Sequence, residues 1–374
     1  MGLKSKYRQW RVAHADNARA KGMQGQQSVA LGFAWRAANI GGVRRHLECI
    51  EKYSQHAVAL YPSTPSHDFL KTRDERSQYH ADLGDPLIDR HSLFHSHVDP
   101  DFIAIAQRAQ KAGKPWLHTY HLLYFPEDWD NNLAPWQQKI NDCLLTQASK
   151  ADLCLSVGTW LVDWLEENHG IETQFVPNGV DVDACDQADG NRFREAIGLD
   201  NFVLFVNSIA KVKNPAAFVE AARARPDQKF VMIGTNLTAE GIRAELKIDV
   251  PPNLIALGPL SHAQTLDAMS ACKTFVMTSH REGLPTVLLE AMSMGKVCVA
   301  PRLPWSSDAI RLPEHGFLYD PEDPQDLVKT IDAATELEVM PMARQHVVDS
   351  FSWPVVARQL DDIYSGQLSS SARC

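Results

Sequence analysis

Short apolar runs and amphipathic stretches alternate along this chain. SVALGFAW at 28–35 reads as a buried strand, followed by the turn NIGG and by VRRHLECIEKY, whose apolar positions recur at helical spacing. HAVAL, SLFHSH, KPWLHTYH and ADLCLSV repeat the strand pattern, and TWLVDWLEENHG reads as a helix stopped by Gly170. The pattern then restarts. NFVLFVNS, KFVMIG, LIALGP, TFVMTS and KVCVAP are strand-like, with PAAFVEAARA, HAQTLDAMSA and PTVLLEAMSM as helices between them. Near-continuous apolar strands alternating with helices predict parallel sheets covered on both faces. Two such series predict an α/β protein with two doubly wound, Rossmann-like domains.

The length of 374 residues agrees, since it exceeds one ordinary core. The polar, turn-rich stretch NGVDVDACDQADGNR marks a linker at 178–192. The expected organisation is a basic N-terminal extension (1–26), a first domain (27–177), the linker, and a second domain (193–352). A last amphipathic helix (353–366), entered through Trp353 and Pro354, crosses back to the first domain, and 367–374 is a tail. A net charge of −9 does not advertise a polyanionic partner. The first 26 residues differ, with Lys4, Lys6, Arg8, Arg11, Arg19 and Lys21 against Asp16 alone. They suit either a solvated extension or an arm that touches anionic lipid or nucleic acid. No apolar run follows the basic start, and none approaches the ~18 residues of a membrane span. The seven cysteines form no CxxC pair and sit in apolar runs, as reduced core residues do. The expected location is therefore the cytoplasm, with any membrane contact peripheral, at the inner face.

Candidate chemistry concentrates in HREGLPTVLLEA at 280–291. Pro285 suits the first helical turn, and Gly295 stands where a C′ residue would end that helix. The amides of 284–287 would then face an anion. Glu290 lies roughly 7 Å further along the axis, among apolar neighbours, where a charge needs a partner. Two glutamates flanking an anion site fit a diphosphate with a polyhydroxylated ring at each end, Glu290 taking a ribose diol and Glu282 the sugar. A plain helix cap with one ion-paired glutamate is the blander alternative. Gly41 and Gly42 allow close backbone approach at a strand-to-helix turn, as does any tight turn. Lys213, just before Asn214 and Pro215, could neutralise a leaving diphosphate or be a surface lysine.

EGLPTVLLEAMSMGKVCVAP resembles the E-x7-E region of retaining GT-B glycosyltransferases, and glycosyltransferase family 4 in particular. NIGGVRRHLECI, KPWLHTYH, FVPNGVDVD, FVNSIAKVKNPAAFVEAA and FSWPVVARQLDDIY are similar to further motifs of that family, in the same order, over about 28–365. The resemblance implies two Rossmann-like domains facing a central cleft. It also implies transfer of a hexosyl or pentosyl group from a nucleotide-diphosphate sugar to a hydroxyl acceptor, with retention and without a metal. It assigns His121, Glu282 and Lys213 to catalysis. It assigns Gly41, Gly42, Ser208, Lys211, Gly283, Leu284, Pro285, Thr286 and Glu290 to donor binding. Ser208 stands where the family has an arginine, with Lys211 as the possible replacement. RLPWSSDAI at 302–310 replaces a Gly-Gly turn and acid, leaving Asp308 as the nearest carboxylate.

His95, His97 and His118, with Glu127 and Asp128, match no metal-ligand spacing, and DWD and DVD are short enough to arise by chance. No cofactor is expected beyond the nucleotide sugar as co-substrate. Rival functions are an epimerase or phosphorylase of the same architecture and a non-catalytic nucleotide-sugar binder. A nicotinamide-dependent enzyme is disfavoured because no GxGxxG opens a strand–helix unit. Residues 61–80 and 122–138 carry no decodable acceptor signature.

Overall fold

Twelve strands form two parallel sheets in the computed structural model, which describes residues 3–33, 42–63 and 73–371, except the side chains of 3–9, 11, 73, 76, 77 and 371. The first sheet holds β1 (Ser28–Gly32), β2 (Ala57–Tyr61), β3 (Leu93–Ser96), β4 (Trp116–Tyr120), β5 (Leu153–Ser156) and β6 (Gln174–Phe175). Its spatial order is β2-β1-β3-β4-β5-β6. The second holds β7 (Phe202–Val206), β8 (Lys229–Ile233), β9 (Leu254–Ala256), β10 (Thr274–Val276), β11 (Val297–Pro301) and β12 (Phe317–Tyr319), in the order β12-β11-β10-β7-β8-β9. Every residue of β1, β3, β4, β7, β10 and β11 is buried, as expected of parallel strands covered on both faces. In each sheet the strand order reverses once, at β1/β3 and at β7/β10. In open parallel sheets, ligands bind outside the carboxyl ends of the strands at this switch point.

Contacts divide the chain into two units. The first comprises 1–124, 133–179 and 353–374; the second comprises 125–132 and 180–352. The core of the first includes Val29, Leu31, Leu47, Leu93, Leu117 and Leu155. The closing helix Trp353–Ser371 adds Trp353, Val356, Leu360 and Tyr364 to it. In the second unit Phe218 lies between Phe205 and Phe230, with ring centroids at 5.2 and 5.4 Å.

Three local features differ from the sequence expectation. β1 ends at Gly32, where a Cβ would lie 1.9 Å from the Phe102 ring, and residues 34 and 35 of the expected strand lie outside the described residues. The stretch 178–192, in which the division between the units falls at 179/180, is partly helical. It carries the helices Val182–Asp186 and Gly190–Ile197, because Asp181 and Asp189 act as N-caps, accepting from Ala184 N and Asn191 N. The basic N-terminal stretch forms the helix Leu3–Gly22, packed on the helix Arg73–Arg90. The buried carboxylate of Asp16 accepts from Tyr79 Oη at 2.6 Å. No helix among the described residues is long and apolar enough to cross a membrane.

Candidate active site

The residues singled out in the second unit meet at the β7/β10 switch point. Asn207 and Ser208 directly follow β7, and 277–285 follows β10. A short 3₁₀ turn, Lys211–Lys213, precedes Asn214, which adopts the left-handed region (φ 45°). That conformation suits an asparagine before Pro215, where the right-handed region is disfavoured. The turn is tied to the neighbouring loop, since Thr278 Oγ1 lies 3.0 and 2.7 Å from the carbonyls of Lys213 and Asn214. His280 N donates to Val212 O at 2.8 Å.

This bracing brings Lys213 to Glu282. Lys213 Nζ donates to Glu282 Oε2 at 2.7 Å, and Ser279 Oγ donates to Oε1 at 2.8 Å. Asn207 Nδ2 approaches Ser279 Oγ at 3.2 Å and Glu282 Oε1 at 3.4 Å. A buried carboxylate is stable only with such partners. Asn207 Oδ1 also accepts from the backbone N–H of Ser208 at 3.0 Å.

Gly283, Leu284 and Pro285 are buried, and Pro285 serves as N-cap of the helix Thr286–Ser293 rather than as its first residue. Gly295 has φ 68°, the conformation expected just beyond a helix end. Glu290 does have a protein partner: His262 Nε2 lies 2.8 Å from its Oε1. This contact is the one that the alternative reading of a protein-paired glutamate expected. Ser261 and Gln264 form a capping box that places His262 at the start of the helix His262–Ala271, beside Glu290.

Lys211 does not join Lys213. Its ammonium pairs with Asp130, and its side chain is 59 % exposed. The neighbouring Arg281, missed from sequence, donates to Asp128 Oδ2 and Glu127 Oε1, each at 2.8 Å, with its guanidinium 3.9 Å over the Phe125 ring. Glu127 and Asp128, weighed above as companions of the histidines, are therefore engaged with an arginine.

In the first unit Gly41 lies outside the described residues, and Gly42 is the exposed first residue of the helix Gly42–Tyr53. His121, directly after β4, is buried, with Nε2 2.9 Å from His97 Nδ1. His46, from the helix, joins them: one ring nitrogen from each of His46, His97 and His121 lies within 4.8 Å of the others. Sequence spacing grouped His97 with His95 and His118, whereas the structure groups it with His46 and His121, which come from separate elements. Burial pushes His121 down to about 4 and His95 to about 3. His46, His97 and His118 are held well below the ordinary histidine range, by burial first and by neighbouring imidazoles second. All five are neutral at pH 7.

Residues 50–184 match the family model "Glycosyltransferase Family 4", and 189–347 match "Glycosyl transferases group 1". Sucrose-phosphate synthase from Thermosynechococcus elongatus superposes with a TM-score of 0.71 at 16% identity, covering 92% of this chain and all of that one. Anabaena HepE, crystallised with UDP and glucose, gives a TM-score of 0.71 at 17% identity over 91% of this chain and 100% of its own. The fold and these matches define the class: a two-domain GT-B protein. Within that class the chain belongs with the glycosyltransferases of group 1 and family 4.

An Escherichia coli UDP-Gal:alpha-D-GlcNAc-diphosphoundecaprenol alpha-1,3-galactosyltransferase is 25% identical over 206 residues, 50% of this chain and 53% of the relative. A D-inositol 3-phosphate glycosyltransferase of Acidothermus cellulolyticus is 24% identical over 308 residues, 75% of this chain and 68% of that one. The chain thus spans about half the length of the first of these relatives and two thirds of the second.

Proposed function

We propose that this protein moves a hexosyl or pentosyl group from a nucleoside-diphosphate sugar to a hydroxyl acceptor, with retention of configuration and without a required metal ion. The observation that carries the proposal is the Lys213–Glu282 pair at the β7/β10 switch point, beside the start of the helix that bears Glu290. A diphosphate placed at 284–287, at the start of the helix Thr286–Ser293, meets the favourable end of the helix dipole. Lys213 turns from Glu282 to the leaving phosphate as charge develops there, the electrostatic work a metal would otherwise do. Glu282, so released, accepts from sugar hydroxyls. Glu290, oriented by His262, accepts from the ribose diol. The acceptor's proton passes to the departing phosphate, so no protein nucleophile is needed. Gly41, Gly42 and His121 enter by family resemblance, His121 as the donor-sugar contact. Ser208 offers no cation, and Lys211 is held by Asp130.

The test incubates chelator-treated protein with UDP-, GDP- and ADP-sugars and a panel of acceptors. Inositol phosphate, phosphatidylinositol and a polyprenol-linked sugar head the panel, as acceptor types suggested by the relatives' names. We expect nucleoside diphosphate release with one donor class, dependent on acceptor, and a product of the donor's anomeric configuration by NMR. Release without acceptor, an inverted product, or activity that appears only with Mg²⁺ or Mn²⁺ would each overturn the corresponding part.

A further inference from the structure

We infer that His46, His97 and His121 form a site for one late first-row transition-metal ion. The three rings sit at the carboxyl edge of the first sheet, where its strand order reverses. His97 directly follows β3, His121 directly follows β4, and His46 lies one turn inside the helix Gly42–Tyr53. The rings converge, with centroids 4.9 Å apart for His46 and His121, 5.2 Å for His97 and His121, and 5.6 Å for His46 and His97. They are 4, 0 and 9 % exposed for His46, His97 and His121.

The polar accounting of this cluster is incomplete. His97 Nδ1 and His121 Nε2 share one hydrogen bond at 2.9 Å, and the Asn178 side chain lies against His46, while among the described residues Nδ1 of His46 is buried without a hydrogen bond. Buried polar atoms ordinarily have partners, and an orphan asks for an unseen water or ion. Three imidazoles facing one point supply three lone pairs that a cation can accept together. Nitrogens ligated to a tetrahedral zinc ion at about 2.0–2.1 Å lie roughly 3.3 Å apart. The present separations, from 2.9 Å up to at most 4.8 Å, bracket that value. Imidazole donors favour zinc, copper, nickel or cobalt over magnesium or calcium. Three protein ligands leave a fourth position open.

The surroundings hold the rings in place. His95 packs on His97 with centroids at 4.4 Å, and its own nitrogens bond Tyr364 Oη and Thr119 Oγ1, each at 2.7 Å. Trp353 lies edge-on to His46 at 5.1 Å. This ion is not the catalytic cation of a transferase. In a consequence that rests on the transferase reading, an ion held by His121 competes with the donor sugar for that side chain, so zinc lowers turnover.

The experiment uses full-length protein without an affinity tag, stripped with chelator and titrated with cobalt(II) chloride. We expect one cobalt per chain, with the intense visible bands of a four- or five-coordinate ion. The bands should disappear in His97→Asn and in His46→Asn and persist in His169→Asn, with far-UV circular dichroism compared throughout. Zinc-edge X-ray absorption on the wild-type protein, independent of any variant's folding, should show about three imidazole nitrogens near 2.0 Å. Absence of stoichiometric cobalt binding, an unchanged spectrum in the folded variants, or an oxygen-only shell would overturn the site. A protein that binds cobalt but, once stripped with chelator, turns over no nucleotide sugar would sink the transferase reading instead; turnover by stripped protein that never binds cobalt would sink the site alone.

Discussion

Glu290 and His262 act as a unit, because a carboxylate that is both buried and paired is oriented by its partner. A charge-assisted hydrogen bond contributes about 1.5–3 kcal/mol. Glu290→Ala should therefore weaken binding of the accepted nucleoside diphosphate sugar roughly 10- to 100-fold. His262→Ala should have a smaller effect in the same direction. The double variant should bind as Glu290→Ala does, and calorimetric additivity of the two effects would show that His262 does not orient the carboxylate. Lys213, Glu282 and Glu290 were legible in the sequence because each sits beside a turn or helix start that local chemistry reveals. His262, Asn207 and Ser279 were not. Asn207 is brought to Glu282 by the pairing of β7 with β10, and no local pattern encodes which strands become neighbours. For a related reason, sequence places Lys211 near Lys213 but cannot say that its ammonium turns to Asp130.

At the scale of elements, the strands and most helices were legible because burial on both faces of a parallel sheet leaves an apolar run. The stretch 178–192 was not, since aspartates that cap helices and aspartates that make turns look alike until the following residues pack. Gly190 shows that packing, as a Cβ there would lie 2.9 Å from the Ala271 backbone. Gly32 makes a sharper case at the end of β1, where the Phe102 ring occupies the space of a Cβ. Gly32→Ala should cost about 1–3 kcal/mol through overpacking, read as a lower urea midpoint. Phe102→Leu in the same chain should recover part of the loss. Equal stability of wild type and Gly32→Ala would show that the ring moves aside at little cost.

Across the whole molecule, neutral buried histidines crowd one unit. His46, His91, His95, His97, His118 and His121 all have lowered proton affinity, and all belong to the first unit. In the unfolded chain they titrate near 6.5. Below that value the unfolded state binds more protons than the folded one, so acid favours unfolding. The stability these groups confer is complete above pH 6.5. It is lost as pH falls towards about 4 for His91 and His121 and about 3 for His95. Hydrogen exchange should therefore show amides of β1, β3 and β4 losing protection between pH 6.5 and 4 ahead of those of β7, β8 and β10. Simultaneous loss in both sheets would argue against histidine protonation as the cause.

Residues 125–132 lie within the sequence span of one unit yet belong to the other, where Phe125, Glu127 and Asp128 grip Arg281 and Asp130 holds Lys211. Hybrid enzymes that exchange halves between relatives are commonly spliced at a single junction. A single splice near 180 would here strand Arg281 and Lys211 among foreign residues, with their counterions left behind on the discarded piece. A faithful transplant needs two segments, and the smaller is invisible to anyone who cuts by chain position alone.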